Sequence, residues 1–446
     1  MKDSLDETVV ASGPLDGVDT TQIQMQNAQT ERRNAAYDAL VLDAKLRQSL
    51  VTIRSLGQRG RCVAALEVSN LVENSHSVPT FSSRWCQNSF IAPAYEQNTE
   101  QFLHYMRQFL RDTGARVLIP SADGTLALLR EHREEIERLG TRLAIAKESA
   151  LSIAISKDQT LEIARELGLG VPRGIVVNSV SEVAEAIRKI GLPAVVKPSE
   201  SWVWGEDERP SARLISRLVT TADEARLAVE ELSQFGPTLF QQFLSGRNEA
   251  ISFIYANGEM YARFAQWAKR TQPPLGGTSV YRQSIALPDD ISTQAERLIR
   301  AIDLEGYSEV EFRRDSAGKA YLMEINPRLS ASVEVAVRAG VDFPYLLYQW
   351  ANGDPIDYVK TYRIGGWMRY LEGDILTTIQ ALSQRGRPGV NSPARAIFDF
   401  FAAFFVPAYY DYFDKNDLKP AWTATTEFAE RLRLRLGKSF TRRKPS

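Results

Sequence analysis

Between residues 39 and 150, short apolar runs alternate with amphipathic stretches: "ALVLD", "SLVTIRSLGQRG", "CVAALE", then "FLHYMRQFLRDTG", "ARVLIPS", "LALLREHREEIERLG" and "RLAIA". Apolar runs joined by helix-length crossovers pair in parallel, because a parallel connection needs a dozen or more residues. The alternation predicts a small doubly wound α/β domain over 39–150. Ligands of such sheets meet the loops at the carboxyl ends of the strands, which here carry Asp43, Arg47 and Gln48, and then Ser121, Ala122 and Asp123. No G-x-G-x-x-G follows the first run, which disfavours dinucleotide binding.

From residue 151 the pattern changes to α+β. "SKDQTLEIARELGLGVP" reads as a helix capped at Ser156, followed by a strand "GIVVN", a helix opened by "SVSE" to Glu182, and a strand "PAVVKP". A second capping box, Thr221 to Glu224, starts another helix, and "TLFQQFL" reads as a strand. Asn257-Gly258 between two alternating apolar runs predicts a tight hairpin. "TQPPLGGTSVYRQS" reads as a loop. The expected organisation is a polar disordered tail over 1–38, the α/β domain over 39–150, an α+β domain over 151–354 and a mostly helical extension over 355–446.

Composition narrows the class. With 44% hydrophobic and 24% charged residues and a net charge of -1, the chain reads as ordinary soluble protein with no global attraction for nucleic acid. Two cysteines, Cys62 and Cys86, give neither a disulfide framework nor a zinc spacing, and a cytoplasmic location is expected. The three histidines, His76, His104 and His132, accompany no nucleophile motif. The start lacks the basic end and apolar block of a signal peptide.

The chemistry concentrates in "GYSEVEFRRDSAGKAYLMEINPRLSAS", residues 306–332. Strand side chains alternate between faces, so Glu309 and Glu311 share one face of the first strand, and Glu324 and Asn326 one face of the second. With Ala317 and Gly318 as a two-residue turn, Glu311 lies opposite Glu324 and Glu309 opposite Asn326. Like charges directly opposite are destabilising, so a divalent cation is expected between them. Oxygen ligands without His or Cys suit Mg²⁺ or Mn²⁺, with substrate phosphate completing the shell. A solvent-facing hairpin, with Arg313, Arg314 and Arg328 as partners, would use the same residues. Lys197, at the end of "PAVVK", can reach phosphate while its stem packs on apolar neighbours. "FQQFLSG" supplies an extended linker able to hold an adenine ring through backbone groups, with Glu249 placed to accept from ribose hydroxyls.

A lysine strand, a linker strand followed by glycine, and an acidic hairpin ending in "MEINPR" together resemble the ATP-grasp family over roughly residues 151–350. The resemblance implies two α+β lobes with ATP between them, preceded by a small α/β domain. It also implies a ligase that joins a carboxylic acid to an amine through an acyl phosphate and releases ADP and phosphate. By the motif, Glu311, Glu324 and Asn326 would hold Mg²⁺, and Lys197 and Lys157 would bind phosphate. Gln241, Gln242, Phe243 and Leu244 would form the adenine hinge, Glu249 would meet the ribose, and Arg328 would steady the acyl phosphate. Arg282 or Arg270, beside the acceptor loop, could bind a phosphate or carboxylate, or form a surface ion pair. The loop after Lys197, "SESWVWGEDERPSAR", departs from the family in having only Gly205. Shielding of the intermediate is expected from loops near Trp202, Trp204 and Gly276. Alternatives are a carboxylase or kinase on the same fold, or a nucleotide-binding protein without catalysis.

Beyond residue 354 the aromatic "PARAIFDFFAAFFVPAYYDYFDK" is too interrupted by charge to span a membrane. It is expected to dock on the protein or a partner. The basic end with Arg442, Arg443 and Lys444 is expected to be solvated, with weak contact to an anionic membrane surface as the alternative.

Overall fold

The computed structural model describes residues 36–72, 77–204, 211–274 and 276–441. The tail up to residue 35, His76, part of the loop after Lys197 and the basic cluster Arg442 to Lys444 lie outside the described residues. Residues 36–38 join the first domain: Tyr37 is buried in its core and Asp38 accepts from the Cys62 N–H.

The first domain is a five-stranded sheet, ordered β3-β2-β1-β4-β5 and parallel throughout. Its strands are β1 (Ala39–Val41), β2 (Val63–Val68), β3 (Asn88–Ala92), β4 (Val117–Ile119) and β5 (Arg142–Leu143). Sequence patterning misses β3, whose "NSFIA" lies at an edge and is only partly buried. The chain reverses its winding between β1 and β4, and there the loops holding Arg47 and Asp123 open.

The next body is a four-stranded antiparallel sheet, ordered β10-β7-β11-β6. In chain order the segment contains β6 (Gly174–Val177), β7 (Ala194–Pro198), the short pair β8 (Trp202–Val203) and β9 (Ala212–Arg213), then β10 (Arg217–Val219) and β11 (Thr238–Gln242). Alternation assigns its two faces. Ala194, Val196 and Phe240 pack against helices Val183–Ile190 and Ala222–Ser233, which leaves Lys197, Leu239 and Gln241 on the opposite face. The caps on Ser156 and Thr221 form as their sequences predict, accepting from Gln159 N and Glu224 N.

The largest sheet runs β16-β15-β12-β13-β14-β17-β18. It comprises β12 (Asn248–Ala256), β13 (Glu259–Gln272), β14 (Thr278–Ile285), β15 (Gly306–Arg314), β16 (Ala320–Asn326), β17 (Trp367–Arg369) and β18 (Ala408–Tyr410). Asn257 and Gly258 form the predicted turn, both at positive φ. The stretch expected as a loop, "TQPPLGGTSVYRQS", is instead the far end of a long hairpin, because β13 continues to Gln272 and β14 begins at Thr278. The extension is mostly helical and also completes this sheet: β17 pairs with β14, and β18 lies parallel to β17. Its aromatic stretch forms the helix Pro393–Ala402, with Phe398 and Phe401 exposed. Among the described residues no helix is long and apolar enough to cross a membrane.

Candidate active site between the two sheets

The acidic hairpin places Glu311 opposite Glu324 and Glu309 opposite Asn326. The route to that register differs from the expected two-residue turn. Arg314 pairs with Ala320, so the turn holds five residues, 315–319, and a bulge at Met323 restores the pairing by one place. Asp315 organises the turn: its Oδ1 accepts from Ala317 N and Lys319 N at 2.9 Å. Gly318, at φ +86°, takes a conformation other residues resist.

Burial and the facing charges of Glu324 and Glu309 push the Glu311 carboxyl up to about 8. Asn326 Nδ2 donates to Glu311 Oε1 at 2.9 Å. Glu309 sits deeper, its carboxyl raised by burial although Ser330 Oγ, Gln266 Nε2 and Ser252 Oγ all donate to it. Lys197 reaches this patch from the other sheet. Burial lowers its ammonium to about 8, with Lys157 and Arg313 adding repulsion and Glu324 and Glu311 opposing the shift. Lys157 opens the helix Lys157–Glu166 and donates from Nζ to Ser201 Oγ at 3.0 Å.

Gln241 shares the Lys197 face, and both polar atoms of its side chain are buried without a partner among the described residues. Gln242 lies on the other face and accepts from Arg173 Nε at 3.3 Å. Phe243 borders a 210 Å³ cavity, while Leu244 is buried. Gly246 lies so close to the Arg314 carbonyl that a Cβ there would overlap it. A larger residue would push the linker off β15.

Glu249 is not turned toward the acidic patch. It pairs with Phe312 across the strands, on the face opposite Glu311, and its carboxylate is held by Arg247 at 3.0 Å and Arg314 at 2.8 Å. Asn248, in register with Arg313 on the Glu311 face, lines both the 210 Å³ cavity and the larger 450 Å³ one. Strand parity counted from the hairpin places Asn248 on this face.

The structure corrects the expectation for Arg282. Its guanidinium is fully buried, donates to Asp411 at 2.6 and 3.0 Å and to the Ser332 carbonyl, and does not form the cavity wall. Arg270 is likewise clamped on Asp374. A β-strand arginine gives no sequence sign of an aspartate more than a hundred residues away.

The 450 Å³ cavity is walled by the acidic hairpin, by Arg328 and by the loops after β1 and β4. Arg47, Gln48, Ser121, Ala122 and Asp123 all reach it. Asp43 instead braces those loops, accepting from Ser121 N, Ala122 N and Thr125 Oγ1. Arg328 Nε donates to Asp123 Oδ1 at 2.5 Å. Burial opposes ionisation of Asp123, but Arg328, Arg213 and Lys157 outweigh it and hold its carboxyl below the ordinary value. Trp202 also borders the cavity and, with Trp204, packs on Tyr95 of the first domain. Tyr370 and Tyr412 of the extension complete the wall.

Among the described residues no cluster of three or more His, Cys, Asp or Glu is arranged around a metal position. The candidate set is two carboxylates and an amide, Glu311, Glu324 and Asn326. It fits Mg²⁺: the donors are all oxygen, and a cation would relieve the repulsion that raises Glu311.

A family described as "ATP-grasp in the biosynthetic pathway with Ter operon" matches residues 234–373. The large chain of carbamoyl phosphate synthase from Caldanaerobacter subterraneus subsp. tengcongensis is 23% identical over 242 residues, which are 53% of this chain and 21% of that protein. The Methanoregula boonei large chain is 29% identical over 234 residues, 50% of this chain and 21% of its own length. The match thus spans about a fifth of these curated relatives. Among solved structures, a biotin carboxylase–β-γ-ATP complex from Campylobacter jejuni is similar with a TM-score of 0.57 at 14% identity, covering 74% of each chain. An L-amino acid ligase from Bacillus licheniformis has a TM-score of 0.54 at 17% identity, over 72% of this chain and 75% of that one. The ADP complex of N5-carboxyaminoimidazole ribonucleotide synthetase has a TM-score of 0.54 at 13% identity, over 78% and 86%.

Proposed function

We propose that the chain is a member of the ATP-grasp superfamily, as its match to an ATP-grasp family over residues 234–373 supports, and that it is an ATP-dependent ligase joining a carboxylic acid to an amine through an acyl phosphate. The observation that carries this reading is the register that sets Glu311 opposite Glu324 on the wall of the 450 Å³ cavity, with buried Lys197 of the other sheet within their electrostatic reach. The charges there are unbalanced in the way an ATP phosphate tail and its cation would balance them. Mg²⁺ or Mn²⁺ on Glu311, Glu324 and Asn326 would neutralise phosphate charge. Lys197 and Lys157 bind the phosphate tail, the 210 Å³ cavity beside Phe243 takes the base, and Asn248 rather than Glu249 faces the sugar. Arg328, fixed by Asp123, orients the acid in the larger cavity. The acid's oxygen attacks the γ-phosphorus and ADP departs; the amine nitrogen then attacks the acyl carbon, loses a proton and displaces phosphate. Trp202 and Trp204, seated on Tyr95, keep water from the intermediate. A cytoplasmic setting, where ATP is plentiful, suits this chemistry.

The experiment is ADP release across a panel of acids, with hydroxylamine as the trapping amine. An activated acyl group yields a hydroxamate, and Glu324→Gln, which removes one of the two facing carboxylates, abolishes both signals while the fold persists. ADP formation from the true acid without any hydroxamate would sink the acyl phosphate. Likeness to biotin carboxylase and carbamoyl phosphate synthase favours, as the second reading, bicarbonate as the acid. Incorporation of labelled bicarbonate into product separates the two.

A further inference from the structure

Gln48 and Gln266 approach the 450 Å³ cavity from different bodies, one from the first turn of the helix Arg47–Gln58 and the other from β13. Each is less than a tenth exposed, and each uses only half of its amide. Gln48 Nε2 donates to the Ser121 carbonyl at 2.8 Å. Gln266 Nε2 donates to Glu309 Oε2 at 2.8 Å and to Ser332 Oγ at 2.6 Å. Carbonyl and carboxylate oxygens only accept, so these partners settle which way both amides point. What remains is a pair of oxygens, Gln48 Oε1 and Gln266 Oε1, buried and without a partner among the described residues. Ser121 Oγ, beside Gln48 on the same cavity wall, is in the same condition.

A buried acceptor left unpaired is costly, so a wall with two such oxygens calls for a ligand that brings hydrogens. Charge points the same way. Two cations at this end are already committed, Arg47 to Asp411 and Lys45 to Glu427. The four hydrogen bonds found for Glu309 all fall on Oε2, beside Gln266. A carboxylate or phosphate would meet lone pairs here.

We infer that this end of the cavity is the subsite for the amine substrate, and that it takes a primary amine, which arrives as R–NH₃⁺ and passes one proton to solvent before its nitrogen attacks as R–NH₂. Gln266 Oε1 and Gln48 Oε1 accept its hydrogens, and the Ser121 hydroxyl complements them. The role assigned to the bound amine rests on the ligase reading, but the binding itself does not.

The test uses the full chain saturated with Mg²⁺ and β,γ-methylene-ATP. It is titrated calorimetrically with ammonium, ethanolamine, putrescine and a set of amino acid amides, each organic amine paired with its N-acetyl counterpart. At least one primary amine should bind while its N-acetyl counterpart does not. Gln266→Met or Gln48→Met should weaken that binding ten-fold or more, with nucleotide-analogue affinity and melting temperature showing that the variants fold. Failure of every primary amine to bind, or affinity unmoved by both methionine variants, overturns the subsite. Amine binding that the variants abolish, with no product formed from any acid, would leave the subsite standing and sink the ligase reading. Product formation with an unchanged amine KM in both variants would do the reverse.

Discussion

Arg328 takes its partner from the first domain, so its position depends on the loop after β4 as much as on its own strand. Two parallel hydrogen bonds to a reacting carboxylate need a planar guanidinium, which lysine lacks. Arg328→Lys should therefore lower turnover by about 10² with MgATP affinity kept. A lower melting temperature with near-normal turnover per folded molecule would mark the residue as structural only. Glu67 allows a test of pH. Burial and the nearby Asp43 raise its carboxyl to about 7, although Lys45 N and Val68 N donate to it at 2.7 and 2.8 Å. Because the folded pKa lies above the unfolded one, the native state binds the extra proton between about 4.5 and 7. That contribution is complete below 4.5 and is lost as pH rises through 7. We expect stability to fall by roughly 3 kcal/mol at most over this window, and Glu67→Gln to flatten the slope while lowering the acid-side baseline. An identical slope in urea titrations of the variant would exclude Glu67 as the cause.

The β15–β16 hairpin shows how an element can reach one register by two routes. A two-residue turn with regular pairing and a five-residue turn with a bulge both place Glu311 opposite Glu324. Parity depends only on the sum of the offsets, so the pairing was legible while the turn was not. Element type and facing separate two lysines that lie close in sequence. Lys197 is buried on the inner face of β7, whereas Lys189, on the neighbouring helix, is exposed and paired with Glu185 at 2.7 Å. Lys197→Ala should weaken MgATP binding ten-fold or more and Lys189→Ala should not. Equal nucleotide affinities for wild type and both variants, measured by calorimetry, would remove Lys197 from the site.

Three bodies meet at Asp411. It lies just past β18 and receives Arg47 at 2.6 Å from the first domain and Arg282 at 2.6 Å from the large sheet. Close by, Arg54 and the Ser83 hydroxyl donate to Asp417. The extension thus acts as a strap that fixes the first domain against the large sheet, and with it the wall formed by Gln48 and Asp123. Asp411→Ala leaves two buried guanidinium groups without their anion, a change that costs about 3–5 kcal/mol. Differential scanning calorimetry should show a large drop in melting temperature, steeper than for Glu427→Ala at the more exposed Lys45 pair. Equal drops in the two variants would show that Asp411 does not hold the bodies together.

Periodicity and turn residues are local, and local information was enough for the parallel domain, the Asn257-Gly258 hairpin, the Ser156 and Thr221 caps and the acidic pairing of Glu311 with Glu324. Each follows from backbone geometry acting over a few residues. Edge strand β3, strands β17 and β18 and the long β13–β14 hairpin escaped, because short or partly exposed strands owe their existence to a neighbour supplied from elsewhere in the chain. The same limit applies to the arginines. Sequence identifies Arg282 and Arg328 as cations of equal promise, and only the packed chain buries one on Asp411 and turns the other to the cavity with Asp123. Glu249 and Asn248 are adjacent in sequence and opposite in facing, and the sheet decided which of them shares a face with Glu311. A charge seeks its counter-ion across space rather than along the chain. The chemistry available to this protein was therefore written in residue types, and its assignment to particular atoms was made by tertiary packing.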